Sequence, residues 1–283
     1  MSSLFVIIAD LSSPYKKMFE ETSVSFSRKP DHMEIKKDWY LSLINFLDRV
    51  FYQGRSDTVS GQFERATVKA LDEFFMNPVN SDLRSLKGKG LLDWRKYGYN
   101  TTGQVEGKYC VELYNCLSKK YRVVNEERKV NTGTGKQRDR AMVVDTLRFI
   151  SVLPDYNILE YSIGMIKDKK LRELDRELRK IRQIGEKTCS LFLRDTISFY
   201  GLDNYLEPRD YDILQPIDTW VHQMAKKLEL IPKEMSLAKL QKKRSIITNA
   251  ALDAGVSPIA FNQGLWYLPT HAVDLLFEQY KKQ

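Results

Sequence analysis

Apolar positions along this chain recur mostly at intervals of three and four residues, the spacing that lines one face of an α-helix. From Asp31 the pattern predicts a helix reaching about Tyr52, with Trp39, Leu43, Phe46 and Val50 on one face. Phe63, Ala66, Ala70 and Phe74 predict the next helix, opened by Asp57, and Gln53-Gly54-Arg55-Ser56 between the two reads as a tight polar turn. Ser13-Pro14 marks an earlier helix start. Further helices are expected over residues 105–118, 138–152, 157–166, 168–181 and 186–200, from Asp218 onward, and over 235–254, 258–268 and 271–281. Between Asn77 and Asn100 short helical pieces alternate with breakers such as Lys87-Gly88-Lys89-Gly90. Only residues 4–8 and 121–124 read as short strands, and the charged stretch 119–140 reads as an exposed loop. The expected fold class is all-α.

Composition narrows the function classes. With 283 residues and 42% hydrophobic content, the chain can bury a core without disulfides or a structural metal. Its 45 Lys and Arg outnumber 37 Asp and Glu, and the formal charge of +8 favours a polyanionic partner, although many basic proteins bind no nucleic acid. Cys110, Cys116 and Cys189 are odd in number and lack CxxC spacing, so a reducing compartment is expected. Together with His32, His222 and His271 they form no zinc or iron–sulfur pattern, which argues against metal-driven chemistry. The apolar run 4–9 lacks a basic segment before it and is too short to cross a membrane, so a soluble intracellular protein is expected. Gly133-Thr134-Gly135-Lys136 looks like a phosphate loop but lacks the earlier glycine and the Ser/Thr after lysine that a nucleotide-hydrolase loop needs.

Candidate chemistry gathers in two places. Arg182-Gln183-Ile184-Gly185 is all that separates two predicted helices, and such a turn aims backbone N–H groups and a helix N-terminus at a phosphate. Contacts of that kind grip DNA without reading its sequence. An ordinary helical hairpin has the same outline. Lys187 falls in the first turn of the following helix, where the positive end of the dipole makes an ammonium ion poorly placed. A neutral lysine amine is a nucleophile; a solvated lysine, or one paired with Glu186, is the plain alternative. In Pro216-Ile217-Asp218-Thr219-Trp220-Val221, Asp218 is an N-cap candidate, and capping still leaves a carboxylate pointing out of the helix end. Phe63, Phe192, Trp266 and Tyr267 are candidates to stack on a base, with Asn262 or Gln263 to read its edge; each also fits a core position. His222, one turn after Asp218, is a phosphate contact or a satisfied structural histidine.

Residues 181–188, Ile181-Arg182-Gln183-Ile184-Gly185-Glu186-Lys187-Thr188, with Pro216-Ile217-Asp218-Thr219 after them, resemble the helix-hairpin-helix DNA glycosylase superfamily. Asp218 follows Lys187 by 31 residues, and with the stretch from Gly255 to Trp266 this is most similar to the archaeal 8-oxoguanine glycosylase branch. The resemblance covers the chain from about Trp39 to the end. It implies two helical lobes with a DNA-binding cleft between them: residues 1–38 with 201–283, and 39–200 ending in the helix-hairpin-helix of 168–200. It further implies a monomeric glycosylase with lyase activity, Lys187 as nucleophile, Asp218 as its carboxylate partner, and Trp266 in the base pocket. Gln53, Arg55 and Ser56 match the minor-groove turn whose side chains fill the space a flipped base leaves. Arg182 and Gln183 stand where the hairpin usually has Pro and Gly, and Asn262 stands where an acidic residue is usual. No cysteine follows Cys189, so the iron–sulfur cluster of a sister branch is not expected, while a monovalent cation at the hairpin is compatible with the pattern. Excision of an oxidised pyrimidine or of uracil or thymine, and non-catalytic DNA binding, are the alternative readings.

Overall fold

The computed structural model describes residues 2–22, 31–53, 57–76, 108–125 and 128–281, and they are mostly helical. The chain divides into two compact units. The first is Met1–Thr22, Ile166–Arg172 and Leu193–Gln283; the second is Ser23–Met165 and Glu173–Phe192.

In chain order, α1 (Ser2–Asp10) and α2 (Ser12–Thr22) open the first unit. Residues 4–8 are therefore helical rather than a strand. Helical turns place Phe5, Ile8 and Ala9 on the buried side of α1, and tertiary packing on that side overrides the local preference of an apolar run. In the second unit, α3 (His32–Lys37) and α4 (Trp39–Val50) replace the single helix expected from Asp31. Asp38 makes the break, because its carboxylate accepts from the Tyr40 and Leu41 amides, both at 2.8 Å, and so caps a new helix in place of continuing the old one. Asp31 and Glu34 form a reciprocal capping box at the start of α3.

Next come α5 (Asp57–Met76), α6 (Lys108–Leu117), β1 (Lys120–Asn125), β2 (Arg128–Gly133) and α7 (Gln137–Ile150). The strand expected over 121–124 is β1, and the rest of the expected exposed loop over 119–140 supplies its antiparallel partner, with Val123 opposite Val130, and a helix start. The alternation along β1 is short: Val123 is buried, while Lys120, Arg122 and Val124 are exposed. The expected short helical pieces between Asn77 and Asn100 lie outside the described residues. Trp39, Tyr40 and Phe75 meet edge to face with centroids 5.6 Å apart, and Phe46 meets Phe192 at 4.8 Å.

The chain continues through α8 (Ile158–Lys167), α9 (Leu171–Leu178), α10 (Glu186–Tyr200), α11 (Thr219–Lys227), α12 (Leu237–Lys242), α13 (Ser245–Asp253) and α14 (Pro258–Lys281). The helix expected over 235–254 is two, with the break at Lys243, whose backbone (φ −121°, ψ 43°) leaves the helical region. The two helices expected over 258–268 and 271–281 are joined in α14, with Pro269 inside and non-helical angles at His271 (φ −127°, ψ 16°) marking the kink. In the first unit α1 crosses α14 at Gly264, where an added Cβ would lie 1.7 Å from the Ile8 carbonyl oxygen. Only glycine permits that approach, and Phe5 stacks on Phe261 at 4.9 Å beside it.

Candidate nucleic-acid interface and catalytic residues

The turn before α10 lies in the second unit and is built from two buried anchors and three exposed residues. Ile181 and Ile184 are buried, while Arg182, Gln183 and Gly185 face outward. The Ile184 amide donates to the Ile181 carbonyl at 3.1 Å and closes the turn. Gln183 has φ 68°, the left-handed conformation that glycine takes without strain and that costs another residue about 1–2 kcal/mol. Gly185 is different. Its φ is ordinary, and a Cβ added there would meet nothing within 4 Å. Neither conformation nor packing calls for glycine at this position; what it leaves is room outside the protein in front of the N-terminus of α10.

Lys187 is half-buried on the first turn of α10. Behind it the Gly185 carbonyl accepts from the Cys189 amide at 3.0 Å and from the Thr188 hydroxyl at 3.2 Å. The Ile181 and Gly185 carbonyls are thus both engaged, and the turn closes on its own backbone.

A single helix holds both turns that the sequence reading assigned to DNA. Asp145 on α7 pairs with Arg182 at 3.4 Å, and Met142, one turn earlier, accepts at its sulfur from Gln53 Nε2 at 3.0 Å. Three residues on a helix rise about 4.5 Å and share a face, so Gln53 and Arg182 are fixed as neighbours along α7. Burial raises the Asp145 carboxyl pKa, and the Arg182 and Arg148 guanidinium groups pull it back. Arg55 and Ser56 lie outside the described residues.

In the first unit, Asp218 is the N-cap of α11, accepting from the Val221 amide at 2.9 Å. Ile217 beside it is core, and its carbonyl accepts from Gln241 Nε2 at 3.1 Å, which anchors the approach to the cap. His222 Nε2 lies 2.8 Å from the Met235 carbonyl; since a carbonyl only accepts, that nitrogen carries the hydrogen and the ring is tied to its own unit.

Sequence reasoning missed a fully buried cluster around Arg194. Its guanidinium donates to Asp195 at 2.8 and 3.0 Å, to Asn262 Oδ1 at 2.7 Å, and to the Tyr15 hydroxyl. Tyr15 in turn donates to Asp195 at 2.9 Å. Burial disfavours the charge on Arg194, but Asp195, the Tyr15 oxygen and Asp218 outweigh it and hold its pKa above the ordinary value. The Arg194 charge therefore reaches Asp218. Asn262 and Gln263 are both 0% exposed. Gln263 spends its amide on Asp195 and Ser198, at 3.4 and 3.3 Å, whereas Asn262 Nδ2 is buried with no partner among the described residues. Trp266 is half-buried with its ring edge-on to Tyr15 at 5.7 Å. Phe192 is a core residue of the second unit, 1% exposed, and Phe63 of the same unit is half-buried. The one available signal was an Arg-Asp pair flanked by Leu191, Phe192 and Leu193 on one side and by Ile197 and Phe199 on the other.

No protein-family model matches this chain, and no curated protein or solved structure matches it either. Among the described residues no group of three or more His, Cys, Asp or Glu is placed to hold a metal ion, and no helix is long and apolar enough to cross a membrane.

Proposed function

We propose that this chain is a bifunctional DNA glycosylase and abasic-site lyase of base excision repair, with the two-lobed helix-hairpin-helix fold, that excises an oxidised base, 8-oxoguanine first among the candidates. The observation that carries the reading is the turn itself: a closed backbone, an exposed Gly185 whose Cβ position is empty, and Lys187 two residues later on the first helical turn. A phosphate seated against Gly185 accepts from the helix N-terminus and brings the sugar of the same strand toward Lys187. The neutral Lys187 amine attacks C1′, the bond from C1′ to the base nitrogen breaks, and the base leaves with a proton. Asp218, held by the Val221 amide, takes the proton released by the amine or stabilises the positive charge that develops on the sugar. The sugar ring opens to a Schiff base, loss of the C2′ proton expels the 3′ phosphate, and water releases the lysine.

Borohydride reduction of the Schiff base tests this directly. Duplexes carrying 8-oxoguanine, an oxidised pyrimidine, uracil or an abasic site, incubated with the full chain and borohydride, are expected to give a covalent complex, strongest with 8-oxoguanine among the bases. Lys187→Gln is expected to abolish it. Absence of any covalent complex across the panel, with duplex binding retained, would leave a non-catalytic DNA-binding protein and overturn the lyase.

A further inference from the structure

We propose that the outer face of the β1–β2 hairpin is a second phosphate-binding surface, which holds the duplex flanking the damaged base. Strand alternation places Lys120, Arg122 and Val124 on that face, with Gly133, Asn131 and Lys129 as their cross-strand partners. The face therefore carries three cations and an amide, and none of these six residues is acidic. Lys120, Arg122 and Lys129 are exposed and form no ion pair with any described residue. Among the described residues, Glu73 takes Lys119 and Tyr121; Glu126 and Glu127, which join the two strands, lie outside the described residues.

The spacing suits a nucleic-acid strand. Alternate residues on a strand are about 7 Å apart, so Lys120, Arg122 and the Val124–Lys129 pair step along about 14 Å, the axial run of about four phosphates on one DNA strand. The platform is pinned from behind. The Tyr121 hydroxyl lies 2.8 Å from the Glu73 carboxylate and 2.9 Å from the Cys116 carbonyl, with its one hydrogen to share between them, and the Lys69 ammonium donates to the Arg122 carbonyl. Arginine and lysine heads on a fixed backbone lose less freedom on binding than the same heads on a loose loop.

The hairpin is also fixed to the turn at 182–185. Thr134 Oγ1 donates to the Leu117 carbonyl, and Asp139 accepts from the Lys136 amide at 2.7 Å to start α7. Gly135 has φ 105°, and a Cβ there would fall 2.5 Å from the Asp139 carboxylate, so this joint admits no other residue without moving. From Gln137 to Asp145, the partner of Arg182, α7 rises about 12 Å. Both surfaces thus hang on one helix within the second unit. The hairpin extends the phosphate grip from one turn to a strip, and its cations add affinity that does not depend on base sequence.

The assignment of DNA as the polyanion rests on the proposed glycosylase reading; the bare cationic face does not. The test is the salt dependence of full-chain binding to an undamaged 20-base-pair duplex, read by fluorescence anisotropy between 50 and 200 mM KCl. In the triple variant Lys120→Ser, Arg122→Ser, Lys129→Ser, the slope of log K against log salt is expected to fall by about 2–3, close to 0.9 per lost phosphate contact. That corresponds to about 40-fold less loss of affinity across this salt range. Lys129→Ser alone, which leaves β1 untouched, is expected to lower the slope by about 1. A control with equal charge loss, Lys227→Ser, Lys233→Ser, Lys243→Ser, is expected to leave the slope unchanged. The proposal is overturned if the hairpin variants keep the wild-type slope, if the control lowers it equally, or if the wild-type chain binds no duplex. Borohydride trapping separates the two ideas. A slope change without trapping sinks the lyase and keeps the hairpin, whereas unchanged slopes with trapping do the reverse.

Discussion

Gly185→Ala should separate folding from binding, because the two assays are expected to respond differently. In the folded protein the new methyl group meets nothing within 4 Å and the backbone angles suit any residue. Reduced freedom of the unfolded chain favours the variant by about 0.4–1 kcal/mol. Alanine is a poorer residue than glycine just before a helix, which costs a comparable amount, about 0.5–1 kcal/mol. The two cancel, so the melting temperature should stay within about 2 °C of wild type. Binding is another matter. A phosphate accepting from the amides of this turn sits about 2.9 Å from nitrogen, and a methyl group on Cα forces it back beyond hydrogen-bonding distance. A hydrogen bond to a charged group contributes about 1.5–3 kcal/mol, so affinity for a duplex with an abasic analogue should fall by about 10- to 150-fold. Differential scanning fluorimetry and anisotropy on one preparation measure both. A variant that melts and binds like wild type would show that no phosphate rests on Gly185, and one that melts far lower would show that the glycine serves the fold.

Gly264→Ala should destabilise the first unit by at least about 1–3 kcal/mol, since its Cβ would lie 1.7 Å from the Ile8 carbonyl oxygen and α1 must shift; a urea midpoint equal to wild type would contradict the crossing. Arg194→Met keeps similar volume but strands the Asp195 carboxylate in the interior, for an expected loss of about 3–5 kcal/mol in urea unfolding, while a loss under about 1 kcal/mol would mean that the cluster is not charged as described. Burial raises the Cys110 thiol from 9.0 to about 12, so the folded chain holds that proton where the unfolded chain releases it. Stability from this group is therefore full below pH 9 and lost as pH rises toward 12, about 1.4 kcal/mol by pH 10; Cys110→Ala should flatten that part of the profile, and an unchanged alkaline slope would refute the burial effect.

Local chemistry made some elements legible in the sequence. The expected helix over 186–200 is α10, because a Gly and a Glu open it and Gly201, with φ 61°, ends it. Asp218 was readable as a cap because a carboxylate before an amphipathic run satisfies free amides whatever the rest of the fold does. The first turn of α10 was readable for the same reason, but the link before it, expected as four residues after a helix over 168–181, is seven, 179–185, because α9 ends at Leu178.

Other features exist only through contacts distant in sequence. Residues 4–8 carry no helical signal of their own, and the groove over Gly264 decides that they form a helix. The strand over 121–124 was legible, but its partner over 128–133 hides in a charged segment because its alternation is short and the hairpin must find α5 before the pattern has meaning. No motif singles out Arg194 and Asp195. They can be buried only because Tyr15, 179 residues away, and Asn262, 68 residues away, complete their hydrogen bonds. Local preference can be read from neighbouring residues, whereas the burial of charge depends on partners that only the folded chain brings together.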